Sequence, residues 1–425
     1  MERVRKIQKI QLTIGLSEIL GFGFLLLTII FLNSCAGTYP KVKPDTSVVT
    51  LNSAREEVPE NELLDVRIKV FDPGELPSSK DQAIGLSEKI REAEALFIPV
   101  QLKKTVQKTG YWGSVRVGPE ESPGDEVIVK GTISKSNGEE LKLKIDVHDA
   151  TGKRWFLREY KSVVTDTGYE KTMKNGSEAF QNIYNRISND LIEYRKTMTA
   201  EQALNIRLVA ELKFARELSP DAFSNYLVKD NKNNITVIDR LPSEDDQMLL
   251  RIRRLRERDY MLTDTLDTHY ENLYHEMDEA YTNWRKTRLD EINLIREMDS
   301  KKNKERAKGI LMILAGAVAG AVIDHNTGSS TATAVIVGAA AASGVSAIVR
   351  AKEIAEESQI NKAALEELGV SFEAEVEPFV VDLEGETIEL KGSAREIMEK
   401  WRRSLENLYR IETGIEKTGD LSAAN

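Results

Sequence analysis

A long run of apolar residues at helical spacing, from Ser243 to Met298, constrains the fold of this chain more than any other feature. Its apolar side chains recur every three or four residues, the spacing that places them on one face of an α-helix. They are Met248, Ile252, Leu255, Leu262, Leu266, Tyr270, Leu273, Met277, Ala280 and Trp284. Ser243, with Asp246 three residues later, is a candidate N-cap. An unbroken helix here would be about 80 Å long, so we expect either a break near residues 283–288 or an extended arm resembling a coiled coil.

Residues 62–170, which precede this run, have the pattern of a small α/β domain. Apolar residues alternate with polar ones in segments that predict strands. These segments are 64–71, 112–117, 126–134, 140–148 and 154–163. Asn137-Gly138 and Thr151-Gly152 mark hairpin turns between the later strands. A helix is predicted over residues 87–109, with Pro99 as its kink or boundary.

The remainder of the chain is predicted to be mainly helical, with a small β-rich unit near its end. The apolar spacing from Phe180 to Met198 indicates one helix, and Thr199 with Gln202 forms a candidate capping box for the next, which ends near Ser219-Pro220. The C-terminal unit is predicted to contain strands at 371–376, 379–383 and 387–391, a turn at Gly385, and a closing helix from Ser393 to Tyr409 with Glu396 in its capping box.

The composition and motifs argue against several classes of function. Lys and Arg total 59 against 69 Asp and Glu, a net charge of −10, whereas a nucleic-acid-binding protein needs a basic surface. One cysteine permits neither an internal disulfide nor a Cys-based zinc cluster. His269 and His275 are six residues apart, so on a helix their rings point in different directions and cannot share a metal. Common nucleophile, phosphate-loop and metalloprotease motifs are absent, and we predict no catalytic residues, no metal and no cofactor.

The first 35 residues have the organisation of a secretory signal. Arg3, Arg5, Lys6 and Lys9 form a basic start, and an apolar stretch follows at residues 19–32. As a helix this stretch would cover about 21 Å, less than the ~30 Å hydrocarbon core of a bilayer. It ends in Leu32, Asn33, Ser34 and Cys35, followed by Ala36.

The tetrapeptide Leu32-Asn33-Ser34-Cys35 resembles the lipobox of bacterial lipoproteins. The resemblance implies cleavage before Cys35 and acylation of its thiol and amine, which together attach a protein stably to a bilayer. Ala36 stands where Asp would imply inner-membrane retention, so the resemblance implies the outer membrane of a Gram-negative cell, with the protein facing the periplasm. Loss of residues 1–34 would change the net charge from −10 to −12. The alternative is an uncleaved N-terminal anchor with an unmodified Cys35.

A second distinctive segment, residues 309–350, is rich in Ala and Gly, and Asp324 is the only charged residue before Arg350. Gly316 and Gly320 lie four residues apart, and Gly338 and Gly344 belong to a second run with small residues at the same spacing. Small residues on successive helical turns permit close helix packing. The segment is therefore predicted to form a helical hairpin, similar to the glycine-zipper segments of some bacterial envelope proteins.

Two interpretations of this hairpin remain open. In one it enters a bilayer or self-associates, since basic residues flank both ends, from Lys301 to Lys308 and at Arg350 and Lys352. In the other it is buried against the long helices of residues 176–300. The arginine-rich run of residues 251–258 likewise has two readings: a solvated face balanced by nearby acidic residues, or a contact with lipid phosphates or an anionic polymer.

Together these features predict an α+β protein with an ordered series of segments. They are a signal peptide (1–34), a lipid-anchored tether (35–61), a small α/β domain (62–170), a helical region (176–308), an Ala/Gly-rich hairpin (309–350) and a helix with a small β-rich unit (351–425). We expect a non-enzymatic structural, assembly or regulatory role in the cell envelope. Its partners would be the lipid bilayer, through acylated Cys35, and a second copy or another envelope protein, but not nucleic acid. The alternatives are a membrane-inserting oligomer that forms or plugs a channel, and an envelope hydrolase with an unrecognised carboxylate site.

Overall fold

A computed structural model describes Tyr39 and residues 41–45, 47–83, 85–243, 245–300, 310–311, 313–314, 345–374, 376–383 and 386–414. The described residues form an α+β fold, which confirms the predicted fold class. The predicted lipobox residues Leu32, Asn33, Ser34 and Cys35 lie outside the described residues. So do the predicted helix-packing residues Gly316, Gly320, Gly338 and Gly344, and the predicted turn at Gly385.

The first part of the chain builds a five-stranded mixed sheet. Its strands are β1 (Val66–Lys69), β2 (Val115–Gly118), β3 (Val127–Ser136), β4 (Glu140–Asp149) and β5 (Arg154–Val163), in the spatial order β2-β1-β3-β4-β5. β1 is parallel to β2 and β3, and β3, β4 and β5 form an antiparallel meander. Gly138 and Gly152 have φ of +84° and +86°, which confirms the predicted hairpin turns.

The helix predicted around Pro99 is continuous. After the short α1 (Lys80–Ala83), α2 runs from Glu88 to Gln107, and Ser87 caps it by accepting a hydrogen bond from the N–H of Ile90. Pro99 cannot donate to the carbonyl of Ala95, four residues before it. That carbonyl instead accepts a hydrogen bond from the N–H of Phe71, just after β1 (3.1 Å). The Ala95 carbonyl that the proline leaves open thus links the helix to the chain just after β1, and a boundary at this position is wrong.

Helices and a small hairpin follow the sheet. They are α3 (Asp166–Asn175), α4 (Gln181–Lys196), α5 (Ala200–Leu218), α6 (Pro220–Phe223) and the hairpin β6 (Leu227–Asp230) with β7 (Ile235–Ile238). The capping box of Thr199 and Gln202 is present at the start of α5, as predicted. The inner face of α4 packs on α2 and β5.

The long apolar run forms one helix, α7, of 54 residues from Gln247 to Ser300. It begins after Asp246, whose carboxylate accepts the N–H groups of Met248 and Leu249, so the cap is at Asp246 and not at Ser243. The break expected near residues 283–288 is wrong. Trp284, Arg285 and Arg288 are fully buried there, and the helix is held on both sides by the sheet domain and by the next helix.

The C-terminal part returns along the same helix. α8 (Val345–Ala374) packs against α7, and the contacts of Glu297 with Arg350 and of Thr287 with Asn361 show that the two helices are antiparallel. The predicted strand at 371–376 is wrong over 371–374, which belong to α8. A Cβ on Gly369 would lie 3.2 Å from that of Ala93, so the glycine allows α8 to pass close to α2 and continue.

The hairpin β8 (Val376–Leu383) and β9 (Glu386–Gly392) precedes the closing helix α9 (Ala394–Thr413). The predicted capping box of Ser393 and Glu396 is present. Trp401, Leu405 and Tyr409 of α9 belong to the same apolar cluster as the buried faces of the sheet, α2, α4, α5 and α7. The predicted α/β, helical and C-terminal segments thus share one core.

Candidate functional site

A second, smaller apolar cluster lies toward the C-terminal end of α7, and we call it the Tyr39 cluster. It is formed by residues from α7, from the start of α8, from the helical residues just after 309 and from the N-terminal segment. Its members are Tyr39, Ile292, Leu294, Ile295, Ile310, Leu311, Leu314, Ala351, Ile354 and Ala355. The cluster joins the first described residue of the chain to the first part of the Ala/Gly segment.

Polar contacts fix Tyr39 in this cluster. Its hydroxyl donates to the carbonyl of Gln82 and accepts from Nη2 of Arg288, both at 3.4 Å. Its carbonyl accepts from Nε of Arg296 (3.0 Å), whose two Nη groups bind both oxygens of Glu139 at 2.6 Å. Since Tyr39 is also buried, the N-terminal segment is held firmly to the body at this point.

Beyond Tyr39 the chain crosses the body as an extended segment, residues 47–54, which we call the strap. Just before it, the Asp45 carboxylate accepts from Nη2 of Arg186 (2.9 Å) and from the Ser162 hydroxyl (2.8 Å). At its far end, the N–H of Ala54 donates to the carbonyl of Thr109 (2.8 Å). The segment predicted as a tether is therefore extended, but it lies on the protein surface.

Three asparagines on the outer face of α4 hold the middle of the strap. Asn182 accepts from the N–H of Val49 (2.8 Å) and donates to the carbonyl of Ser47 (3.0 Å). Asn189 accepts from the N–H of Asn52 (2.8 Å) and donates to the carbonyl of Thr50 (2.9 Å). Asn185 donates to the carbonyl of Val49 (2.6 Å). The three amide side chains thus bind main-chain atoms of the strap.

The side chains of the strap contribute little to its binding. Five of the eight residues of 47–54 are exposed, with Val48 at 88%; Val49, Leu51 and Ala54 are partly buried, but none of the eight belongs to the core cluster. Burial of apolar area is the main source of stability in a packed interface. The strap therefore lies on α4 through hydrogen bonds and not through a hydrophobic core.

A separate cleft of about 570 Å³ lies between α5, α7 and the segments that precede β1, β2 and β3, with Glu126 among its lining residues. Oε2 of Glu126 accepts from the N–H of Asp65 (2.9 Å), while Oε1 is 3.6 Å from Nη2 of Arg256 and 3.9 Å from Nε of Arg207. Burial, followed by the negative charge of Asp65, raises the pKa of Glu126 to about 7. This carboxyl group can therefore exchange a proton near neutral pH.

The arginine-rich run of residues 251–258 is largely engaged inside the molecule. Arg251 donates to the carbonyl of Glu412 and Arg256 to that of Gly124. Arg253 donates two hydrogen bonds to the carboxylate of Glu211, a bidentate ion pair (2.7 and 3.2 Å). These contacts favour the reading of a balanced face over that of a lipid- or polymer-binding surface.

The other sequence predictions meet the structure only in part. Among the described residues, no group of three or more His, Cys, Asp or Glu side chains is arranged to hold a metal ion. Over the same part of the chain, the helices are too short or too polar to cross a bilayer. The lipobox and the four helix-packing glycines remain predictions, because they lie outside the described residues.

The sequence did contain a signal for the asparagine face. Asn182, Asn185 and Asn189 are spaced i, i+3 and i+7, which places them on one face of a helix, opposite to the apolar positions. Glu126 gives no comparable signal, because Asp65, Arg207 and Arg256 reach it from distant parts of the chain.

Comparison with known proteins adds no family to these observations. No protein-family model matches the chain, and no curated protein sequence matches it.

Proposed function

We propose that this chain is a lipoprotein of the Gram-negative outer membrane, acylated at Cys35, with a non-enzymatic structural, assembly or regulatory role in the periplasm. It would act through protein–protein contacts, including self-association. One observation supports this proposal above the others: the Tyr39 cluster brings together the two segments that the sequence associates with a membrane.

Chain length makes this juxtaposition informative. Cys35 is four residues before Tyr39, and four residues of chain span at most about 14 Å. Leu314, in the same cluster, is two residues before Gly316, where the small-residue spacing begins. A bilayer is a single surface, and Tyr39 and Leu314, the described residues next to the two segments, lie in the same cluster. An acylated Cys35 and the Ala/Gly segment can therefore reach the same surface.

The charges around the cluster fit an anionic lipid surface. Arg350 and Lys352 are exposed on the first turns of α8, and Lys301, Lys302, Lys304, Arg306 and Lys308 precede the Ala/Gly segment in the sequence. Lys and Arg near a membrane are attracted to lipid phosphates. These residues would help to orient the end of the molecule that carries the Tyr39 cluster toward the bilayer.

Acylation is tested by labelling cells that express the full chain with radioactive palmitate. We expect label in the wild type and in a Ser34→Ala control, and none in Cys35→Ala. Label that persists in Cys35→Ala, or no label in any of them, would overturn the lipoprotein assignment.

Self-association is tested by crosslinking in cells. Leu at positions 316 and 320 removes the small-residue surface, so the double substitution Gly316→Leu with Gly320→Leu should reduce crosslinked oligomers. Gly328→Leu, in the predicted turn, serves as the matched control. Crosslinking of the double variant at the wild-type level would argue against oligomer formation through this segment. If Cys35→Ala protein still sediments with liposomes, the membrane-inserting alternative gains support.

Glu126 favours one alternative function, that of a hydrolase with a carboxylate site. A carboxyl group with a pKa of about 7 in an open cleft has the property of a general acid or base at neutral pH. This alternative predicts hydrolysis of chromogenic esters or glycosides by the purified chain, lost in Glu126→Gln. Equal turnover by wild type and variant would exclude a role for this carboxyl group.

A further inference from the structure

We propose that Asn182, Asn185 and Asn189, the asparagine face of α4, form a binding site for the main chain of an extended polypeptide. The strap occupies this site but can be displaced from it. The external ligand would be the same extended segment of a second copy of this chain. For the location of that partner in the envelope, the inference rests on the proposed function; the binding site itself does not.

The first argument is what the site recognises. Asn182 and Asn189 each bind one N–H and one carbonyl of the strap, and Asn185 binds one further carbonyl. Each amide side chain offers both a donor and an acceptor, so it pairs with a peptide group as another peptide group would. Every extended chain presents these groups at the same spacing, and main-chain hydrogen bonds of this kind support peptide recognition that tolerates different sequences.

The second argument is that α2 prepares the site independently of the strap. Oδ1 of Asn185 accepts from Nε2 of Gln181 (2.9 Å). The Gln181 amide in turn contacts the hydroxyl of Thr105 and the amide of Gln101, both at 3.1 Å. These contacts lie within the packed body and orient Asn185 whether or not the strap is present.

The third argument is that the strap can leave while the chain on both sides of it stays bound to the body. Tyr39 is fixed before the strap, by Arg288 and Arg296. After it, the carbonyls of Glu60 and Glu62 accept from Arg207 (3.2 Å) and Arg195 (2.6 Å). Release of the strap therefore opens a surface loop, while the segment next to Cys35 stays in place.

The sequence of the strap also shows what a segment that replaces it must contain. Val49 and Asn52 supply the two N–H groups that the asparagines accept, and a proline at either position would remove one donor. Pro44 and Pro59 lie outside the strap on both sides. The same segment of a second copy has non-proline residues at both positions and so offers both N–H donors.

The experiment vacates the site in the full chain and then fills it with a probe. Val49→Pro with Asn52→Pro removes both strap donors but leaves α4 intact, and Val48→Pro is the matched control. The probe is a fluorescein-labelled peptide with the sequence of residues 45–56, followed by fluorescence anisotropy. We expect it to bind the double-proline variant at least tenfold more tightly than the wild type or the control. Adding Asn182→Ala and Asn189→Ala should abolish that gain.

Two results would overturn the proposal: no saturable binding to the double-proline variant, or binding that is unchanged by the asparagine substitutions. Circular dichroism and thermal unfolding establish that each variant is folded. Palmitate labelling of the same variants separates the two proposals, because loss of acylation contradicts the lipoprotein assignment and leaves the peptide result standing.

Discussion

The two faces of α4 hold their neighbours in different ways. On the inner face, Ile183, Tyr184, Ile187 and Leu191 are fully buried against the core, and burial of one such side chain contributes about 1.5–3 kcal/mol. On the outer face, asparagines hold the strap only by hydrogen bonds to its main chain. One such bond contributes about 1 kcal/mol net, roughly what it costs to fix the backbone of one residue. The inner face defines the fold. On the outer face, the free energy gained from hydrogen bonds to the strap is close to the conformational free energy lost when the strap is ordered.

The largest expected effect comes from breaking the inner face. Leu191→Ala should lower the free energy of unfolding by about 3 kcal/mol, because it removes buried methyl groups and leaves a cavity. Urea denaturation followed by tryptophan fluorescence measures this loss. The labelled strap peptide should bind no better to this variant than to the wild type. A decrease in the free energy of unfolding of less than about 1 kcal/mol would mean that the inner face of α4 does not define the fold.

Glu126 offers a polar contact of a third kind, a buried carboxyl group whose nearest arginine nitrogens lie 3.6 and 3.9 Å away, beyond hydrogen-bond distance. Its pKa is raised from 4.5 to about 7, so its protonated form stabilises the fold. This contribution is fully present below pH 4.5 and is lost as the pH rises through 7, a change of about 3 kcal/mol. Glu126→Gln should flatten the decline in stability between pH 5 and 7.

Asp259 acts in the same direction and must be separated from Glu126. Its burial raises its pKa to about 6, so Asp259→Asn should remove a second part of the decline at lower pH. Chemical denaturation at several pH values resolves the two contributions. An unchanged slope in Glu126→Gln would show that the carboxyl group is solvated in the cleft.

Much of the fold could be predicted because its signals are local. The hairpin turns at Gly138 and Gly152 and the capping boxes at Thr199 and Ser393 each depend on residues close together in the chain. Errors arose where distant residues override a local rule. Pro99 lies inside a helix because Phe71 uses the carbonyl that the proline leaves open, and α7 continues through residues 283–288 because the body surrounds it.

The strap and the cleft could not be predicted for the same physical reason. The strap contacts α4 across more than 130 residues of sequence through its main chain, which leaves no pattern of apolar residues. The pKa of Glu126, just before β3, depends on burial and on Asp65, which lies just before β1 and is distant in the sequence. By contrast, the asparagine spacing on α4 is visible in the sequence once the apolar face of that helix is assigned.

A smaller effect is expected from breaking the outer face. Asn182→Ala with Asn189→Ala removes four hydrogen bonds to the strap, yet the free energy of unfolding should fall by only about 1 kcal/mol, since the released strap regains conformational freedom. Trypsin cleavage after Arg55, which is exposed next to the strap, should become several-fold faster. Asn189→Asp can still accept from Asn52 but cannot donate to Thr50, so it should give an intermediate rate. Equal rates in all three proteins would show that the asparagines do not hold the strap.

The smallest effect is expected in the wild type itself, in the hydrogen exchange of single amides. The N–H groups of Val49 and Asn52 are bonded to asparagine side chains, whereas that of Val127 in β3 is bonded to the carbonyl of Asp65 within the sheet domain. Strap amides should exchange through local opening, with protection of roughly tenfold, while amides of the central sheet should require opening of the core and show at least a thousandfold. Nuclear magnetic resonance or mass spectrometry of exchanged protein measures both in one sample. If Val49 and Asn52 were as protected as the sheet, the strap would be part of the core fold and not an exchangeable segment.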